Sequence, residues 1–265
     1  MLRRAALALL FVSFLATNVL AWGNNGHKIT ARLAQDQLSD GAEAKVREIL
    51  GTRWMADVAS LPDDWRKNEG AQMTSVWHFV NTRIEDDTYD QPRDCPGDQC
   101  VVEQLKDMRD ALKNPEASPS ARHDALVYII HFVGDIHQPM HAGSGTLNGK
   151  SDRGGNEIKV KFNGQDSNLH AVWDSGLLSR RNLNVAQYVE HLKDDVLPGL
   201  GSGASGGTPE DWANESHKIA QEKRVANNTT ISNNYIQSAL PIVDERLALG
   251  ALRLAKLIED ALGED

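Results

Sequence analysis

Residues 118–140 read SPSARHDALVYIIHFVGDIHQPM. The stretch opens on residues that cap helices, and it must stop or kink before Pro139, because a proline disfavours helical geometry in the residue before it. Within it His131 and Asp135 stand four residues apart, which puts them about 40° from each other around a helix. His141 follows the proline and can turn back toward the same region. The shorter HAVWD repeats the spacing with His170 and Asp174. One stretch thus predicts a helix and a set of side chains able to do chemistry.

Helical periodicity extends outward in both directions. GHKITARLAQDQLSDGAEAKVREIL reads as two amphipathic pieces broken near Ser39, Asp40 and Gly41. TPEDWANESHKIAQEKRVA opens with Thr208 as a cap and Pro209 at the first helical position. DERLALGALRLAKLIEDAL is a terminal helix that offers Leu247, Leu249, Leu252, Leu254 and Leu257 to a core. The clear strand signal is NEIKVKFNG, where Ile158, Val160 and Phe162 alternate with polar residues before a turn. The expected fold is mainly α, a single helical domain with a small β-hairpin near 156–164. Gly201–Gly207 reads as a flexible loop between helices, and no internal repeat is visible.

Residues 1–21 have the three parts of a secretory signal: Arg3 and Arg4, an apolar run, and Val19 and Ala21 before a plausible cut. An uncleaved anchor is the alternative, but the run is at the short limit for a membrane span. The mature chain would be 22–265, without a membrane segment, and would be secreted or periplasmic. The leader holds two of the 28 basic residues and none of the 37 acidic ones, so the mature formal charge is −11. That excludes nonspecific binding of nucleic acid through a basic patch, and a polyanionic substrate would need local positive charge such as bound divalent metals. Cys95 and Cys100, in CPGDQC, read as a disulfide closing a small loop in an exported chain.

A single His-x-x-x-Asp pair on a helix is ordinarily an ion pair. Two such pairs, together with His141, DDWR and VWHF, suit a zinc site of mixed nitrogen and oxygen ligands better. His137 lies well around the helix from His131 and is not counted. His123, His191 and His217 stand in polar helical contexts and read as solvated. Trp22 and His27, just after the cut, admit two readings: an aromatic anchor with a surface histidine, or metal ligands. In the second, cleavage exposes an α-amine with an ordinary pKa of about 7.7–8. That amine and the Trp22 carbonyl form a five-membered chelate, and His27 follows about a helical turn later.

WGNNGH, ASLPDDWR, WHF, HFVGDIHQPMH, GGN and NLHAVWD occur in that order. Together they closely resemble the zinc-dependent, single-strand-specific nucleases of fungi, plants and bacteria, the type I nucleases of the phospholipase C/nuclease superfamily. The resemblance is dense from Trp22 to Asp174 and weaker in WANES and the terminal helix. It implies a helical fold of that type and three zinc ions. One ion would take Asp63, His78, His131 and Asp135; a second, His141, His170 and Asp174; a third, Trp22 through amine and carbonyl, His27, and Asp135 as a bridge. Asp63 is chosen over Asp64 because the family pattern sets the ligand three residues before a basic one, here Arg66.

The resemblance further implies hydrolysis of single-stranded DNA and RNA to 5′-phosphorylated products by zinc-activated water, with 3′-mononucleotides also losing phosphate. Arg66 would neutralise charge on the phosphorus, and Asp135 would serve catalysis through the metals. Phe79 resembles the family's base-stacking residue, with Asn81, Gly154 and Asn156 beside it; on its own, Phe79 would read as a core aromatic. Asn81 departs from the Asp of the best-known members, so base preference does not carry over. Lys150 and Arg153 either touch phosphates or lie in a solvated loop. No stable protein partner is inferred. The nearest rival is a phospholipase C of the superfamily, disfavoured by the short Trp22–His27 spacing and by Asp174. A non-catalytic secreted zinc-binding protein leaves Arg66, Phe79 and Asn156 unexplained.

Overall fold

The computed structural model describes residues 22–68 and 72–263; the leader expected at 1–21 lies outside the described residues. The chain begins with α1 (Gly23–Gln35) and α2 (Asp40–Leu50), separated where Ser39 caps α2 by accepting from the Ala42 N–H at 3.2 Å. Gly51, at φ 68°, ends α2 in a conformation that favours glycine. Short helices α3 (Met55–Val58) and α4 (Leu61–Trp65) follow, then α5 (Gln91–Asp94) and α6 (Val101–Lys113). Cys95 and Cys100 form a disulfide immediately before α6.

The predicted helix is α7 (Pro119–His137), capped by Ser118 and ended before Pro139, which opens a 3-10 turn at Pro139–His141. From Ile129 to His137 every residue of α7 is buried, because α1, α2, α6, α11 and α12 (the last two bounded below) surround it. A helix apolar all round is stable only in such a position. Short α8 (Leu169–Ala171), α9 (Leu177–Ser179) and α10 (Val185–His191) come next, interleaved with π-helical turns at Val172–Gly176 and Leu192–Val196. Then come α11 (Pro209–Lys223), with its Thr208 cap, and α12 (Asn233–Leu262). Among the described residues no helix is long and apolar enough to cross a membrane.

α12 starts at Asn233, earlier than the expected Asp244. Ser232 caps it, and Ile236, Ala239, Leu240 and Val243 extend the buried face. Pro241 is tolerated because it and Gln237, whose carbonyl loses its partner, are both exposed. Glu215 on α11 fastens the two last helices together, contacting Arg246 Nη1 and Arg253 Nη1 at 2.6 Å each. Arg253 Nη1 also donates to His137 Nε2 at 2.9 Å.

The β-structure is larger than the one hairpin expected near 156–164. β1 (Thr146–Leu147) pairs with β2 (Lys150–Ser151), and β3 (Lys159–Phe162) pairs with β4 (Gln165–Asn168), both antiparallel. Each hairpin turns on an Asn-Gly pair at positive φ, Asn148-Gly149 and Asn163-Gly164. β5 (Thr229–Thr230) adds in parallel to β3. Val160 and Phe162 are buried while Lys159 and Lys161 are exposed, as the alternation predicts.

Candidate metal centre

The centre forms where the C-terminal half of α7 meets α1, α4, the Gln72–His78 segment and the turn at Pro139–His141. Asp135 Oδ2 lies 3.1 Å from His131 Nε2 and 3.0 Å from His78 Nδ1, and its Oδ1 lies 3.5 Å from His27 Nε2 and 3.6 Å from His141 Nδ1. One buried carboxylate therefore faces four imidazoles. His27 arrives from α1, and His78 from the end of a 3-10 segment at Gln72–His78. Asp63, in α4, sits 3.9 Å from both His78 Nδ1 and His131 Nε2. Its Oδ1 is 2.7 Å from Arg66 Nη2, an ion pair lying off the line of a hydrogen bond. Asp64 is exposed and pairs with Lys67 at 2.8 Å.

A second group gathers His141, His170 and Asp174. The two Nε2 atoms are 3.2 Å apart, and His170 Nε2 is 3.4 Å from Asp174 Oδ2. Asp174 sits in the Val172–Gly176 π-turn, a device frequent at functional sites. Three sets of donor atoms are each mutually within 4.8 Å: His27, Asp63, His131; His78, His131, Asp135; and His141, His170, Asp174. This sorting puts His27 with Asp63 and gives His131 to two sets, whereas the resemblance divides these residues between separate ions.

The donor set fits divalent cations on its own chemistry. Two ligands about 2.05 Å from one zinc at a tetrahedral angle lie about 3.3 Å apart, the scale of the spacings here. Three rings are oriented from behind by backbone carbonyls: His131 Nδ1 donates to Ala59 O at 2.7 Å, His141 Nδ1 to His78 O at 2.7 Å, and His170 Nδ1 to Gly154 O at 2.8 Å. That leaves each Nε2 lone pair directed inward, as metal-binding histidines require. Among the described residues, His27 Nδ1 and Nε2, His78 Nε2, Asp135 Oδ1 and Asp174 Oδ2 are buried without a hydrogen-bond partner. Buried polar atoms left in that state are costly unless a ligand satisfies them.

The electrostatics agree. Burial, reinforced by His131, holds His27 well below the ordinary histidine pKa, and burial with His141 pushes His170 down to about 3. Burial likewise lowers His78 and His141. His131 goes the other way: burial opposes the rise, and Asp135, Asp63 and the Ala59 carbonyl together outweigh it. Asp135 is held well below the carboxylate range: burial opposes this, and His131, His78 and His141 together overcome it. Burial raises Asp174 well above that range, with Asp135 adding to the effect. Four neutral imidazoles and the ionised Asp135 carboxylate are ready donors, since a metal takes the deprotonated form of each ligand.

Around the donors, the extended chain from His78 runs beside the segment after His141. Val80 N–H donates to His141 O at 2.8 Å, and Val101 N–H to Phe79 O at 3.1 Å. Phe79 is half-buried and Asn81 exposed. Trp77 Nε1 donates to Gln99 Oε1, inside the disulfide loop, at 2.7 Å. Asn156 is half-buried and donates to Arg153 O at 2.8 Å. Gly154 is buried at φ 61°, and a Cβ there would lie 2.2 Å from Met140 O, so only glycine lets its carbonyl reach His170. Trp22 is fully buried.

Known sequences add the deciding observation: the S1/P1 Nuclease profile matches residues 22–263. The chain belongs to the S1/P1 nuclease family. It is 31% identical to Endonuclease 3 of Arabidopsis thaliana, over 96% of this chain and 93% of that one. Nuclease S1 of Aspergillus oryzae is 26% identical over 92% and 93% of the two chains. Nuclease P1 of Penicillium citrinum is 29% identical over 58% and 57%. As an S1/P1 nuclease the chain is a hydrolase of nucleic-acid phosphodiester bonds.

The expectation that three histidines are solvated needs correction in this family member. His217 is fully buried, its Nε2 2.7 Å from Asp86 O and its Nδ1 3.0 Å from Ala142 O, so it braces the turn after His141. His123 and His191 are half-buried and paired with Asp124 and Asp195. Sequence reasoning also missed Gln138 and Gly134. Their signal was available as the one uncharged amide and the one glycine inside a buried helix end.

Proposed function

We propose that this S1/P1 nuclease is an exported enzyme that binds three zinc ions and cleaves single-stranded DNA and RNA to 5′-phosphorylated products, with 3′-nucleotidase activity. The observation that carries the reading is Asp135, a buried carboxylate within 3.6 Å of four imidazoles. The ligands are Trp22, through its α-amine and carbonyl, and His27, Asp63, His78, His131, Asp135, His141, His170 and Asp174. Bound ions of this kind acidify water into a nucleophile near neutral pH and offset charge on phosphate and leaving oxygens. Arg66, anchored to Asp63, faces the phosphate with the part of its side chain that stays exposed. Phe79 offers a ring for an unstacked base, which a duplex would have to release first. Asn81, Gly154 and Asn156 line the base side.

Export is supported by the Cys95–Cys100 disulfide, which persists in oxidising compartments, and by the cut that would create the Trp22 amine. The test is zinc restoration of the metal-free protein, followed by release of soluble nucleotides from denatured DNA and from RNA. The expected result is zinc-dependent release from both, slower from duplex. Inertness toward both, with hydrolysis of phosphatidylcholine, would overturn it.

A further inference from the structure

Gln138 is fully buried at the C-terminal cap of α7, between two of the proposed ligands. Its main chain is fixed first: its N–H donates to Asp135 O at 3.0 Å, and its carbonyl accepts from His141 N–H at 3.0 Å. Its side chain is fixed next. The Met140 N–H donates to Oε1 at 2.5 Å, and Nε2 donates to Asp174 Oδ1. The amide has no alternative orientation, because the Met140 N–H needs an acceptor and the Asp174 carboxylate needs a donor. The bond occupies Oδ1 and leaves Oδ2 without a hydrogen-bond partner among the described residues, 3.4 Å from His170 Nε2.

We infer that Gln138 is a positioning residue: by engaging Oδ1, which lies 3.9 Å from His141 Nε2, it leaves Oδ2 as the unengaged oxygen facing His170, and so sets how tightly that group holds its zinc. The inference rests on the ligand reading above. A carboxylate with both oxygens unengaged can rotate or chelate with both. An amide donor removes those options, and partners of this kind commonly govern metal affinity by about 10- to 100-fold.

Two variants separate this role from simple packing. Gln138→Glu keeps an acceptor for the Met140 N–H and replaces the donor facing Asp174 with an oxygen. Gln138→Met keeps the approximate size and removes both bonds. Zinc per chain is measured against graded zinc buffers, together with melting of the metal-free chains. One ion per chain should weaken by about 10- to 100-fold, the others should stay, and metal-free melting of at least one variant should match the parent. Zinc retention equal to the parent in both variants, uniform loss of all ions, or failure of both to fold would overturn the inference. Asp174→Ala is the separate control. If it keeps every zinc, the ligand reading has failed; if it loses one while the Gln138 variants lose none, only the positioning role has failed.

Discussion

The imidazole of His27 lies flat on that of His131, ring centroids 3.9 Å apart and planes 13° apart. The contact joins α1 to α7 and depends on Gly134, where a Cβ would stand 2.6 Å from His27 Nδ1. Gly134→Ala should therefore destabilise the protein by about 1–3 kcal/mol, although alanine in a helix is ordinarily favoured by about 1 kcal/mol. It should also lower bound zinc by displacing His27. Chemical denaturation and metal content check both; a stabilised variant with a full metal complement would contradict the close approach.

Asp135→Ala should empty two metal positions, because both carboxylate oxygens face imidazoles from different segments. Metal analysis reads the outcome, and loss of a single ion would argue against a bridge.

A chain carrying a methionine ahead of Trp22 should have strongly reduced nuclease activity and bind fewer zinc ions than one that begins at Trp22. The extra residue turns the amine into an amide nitrogen, a poor donor. Equal activity and metal content would remove Trp22 from the ligands.

Glu215 supports two arginines, Arg246 and Arg253, that are themselves buried. Glu215→Ala should cost about 3 kcal/mol, the scale for stranding buried charge, while leaving bound zinc intact. The pH dependence has a definite sign. Burial would raise the Glu215 pKa, but the two arginines lower it below the ordinary 4.5. Its stabilisation is therefore present above 4.5 and lost as pH falls through the depressed value. Urea unfolding from pH 6 to 3 should show a shallower acid decline for Glu215→Gln than for the parent.

The sequence made α7 legible because its caps, its apolar run and Pro139 all lie within one segment. The same held for Ser39, Thr208 and the two His-x-x-x-Asp pairs, whose partners are one helical turn away. His217 was misread because its acceptors, Asp86 O and Ala142 O, are backbone atoms far along the chain. Its neighbours in sequence are polar, and only the packing of α11 against that turn buries it. Gln138 and Gly134 were missed for the same reason: their partners, Asp174 and His27, belong to other helices. The hairpin was located through NEIKVKFNG, whereas the β1–β2 pair lacks an apolar alternation and betrays itself only by Asn148-Gly149.

The carbonyls behind His131, His141 and His170 come from Ala59, His78 and Gly154. A carbonyl belongs to every residue type, so a substitution removes one of these acceptors only by moving the backbone, as any side chain at Gly154 would. Exposed positions such as Asn81 can change in sequence while the imidazoles keep their aim. Evolution can thus vary what this scaffold reads without re-inventing how it cuts.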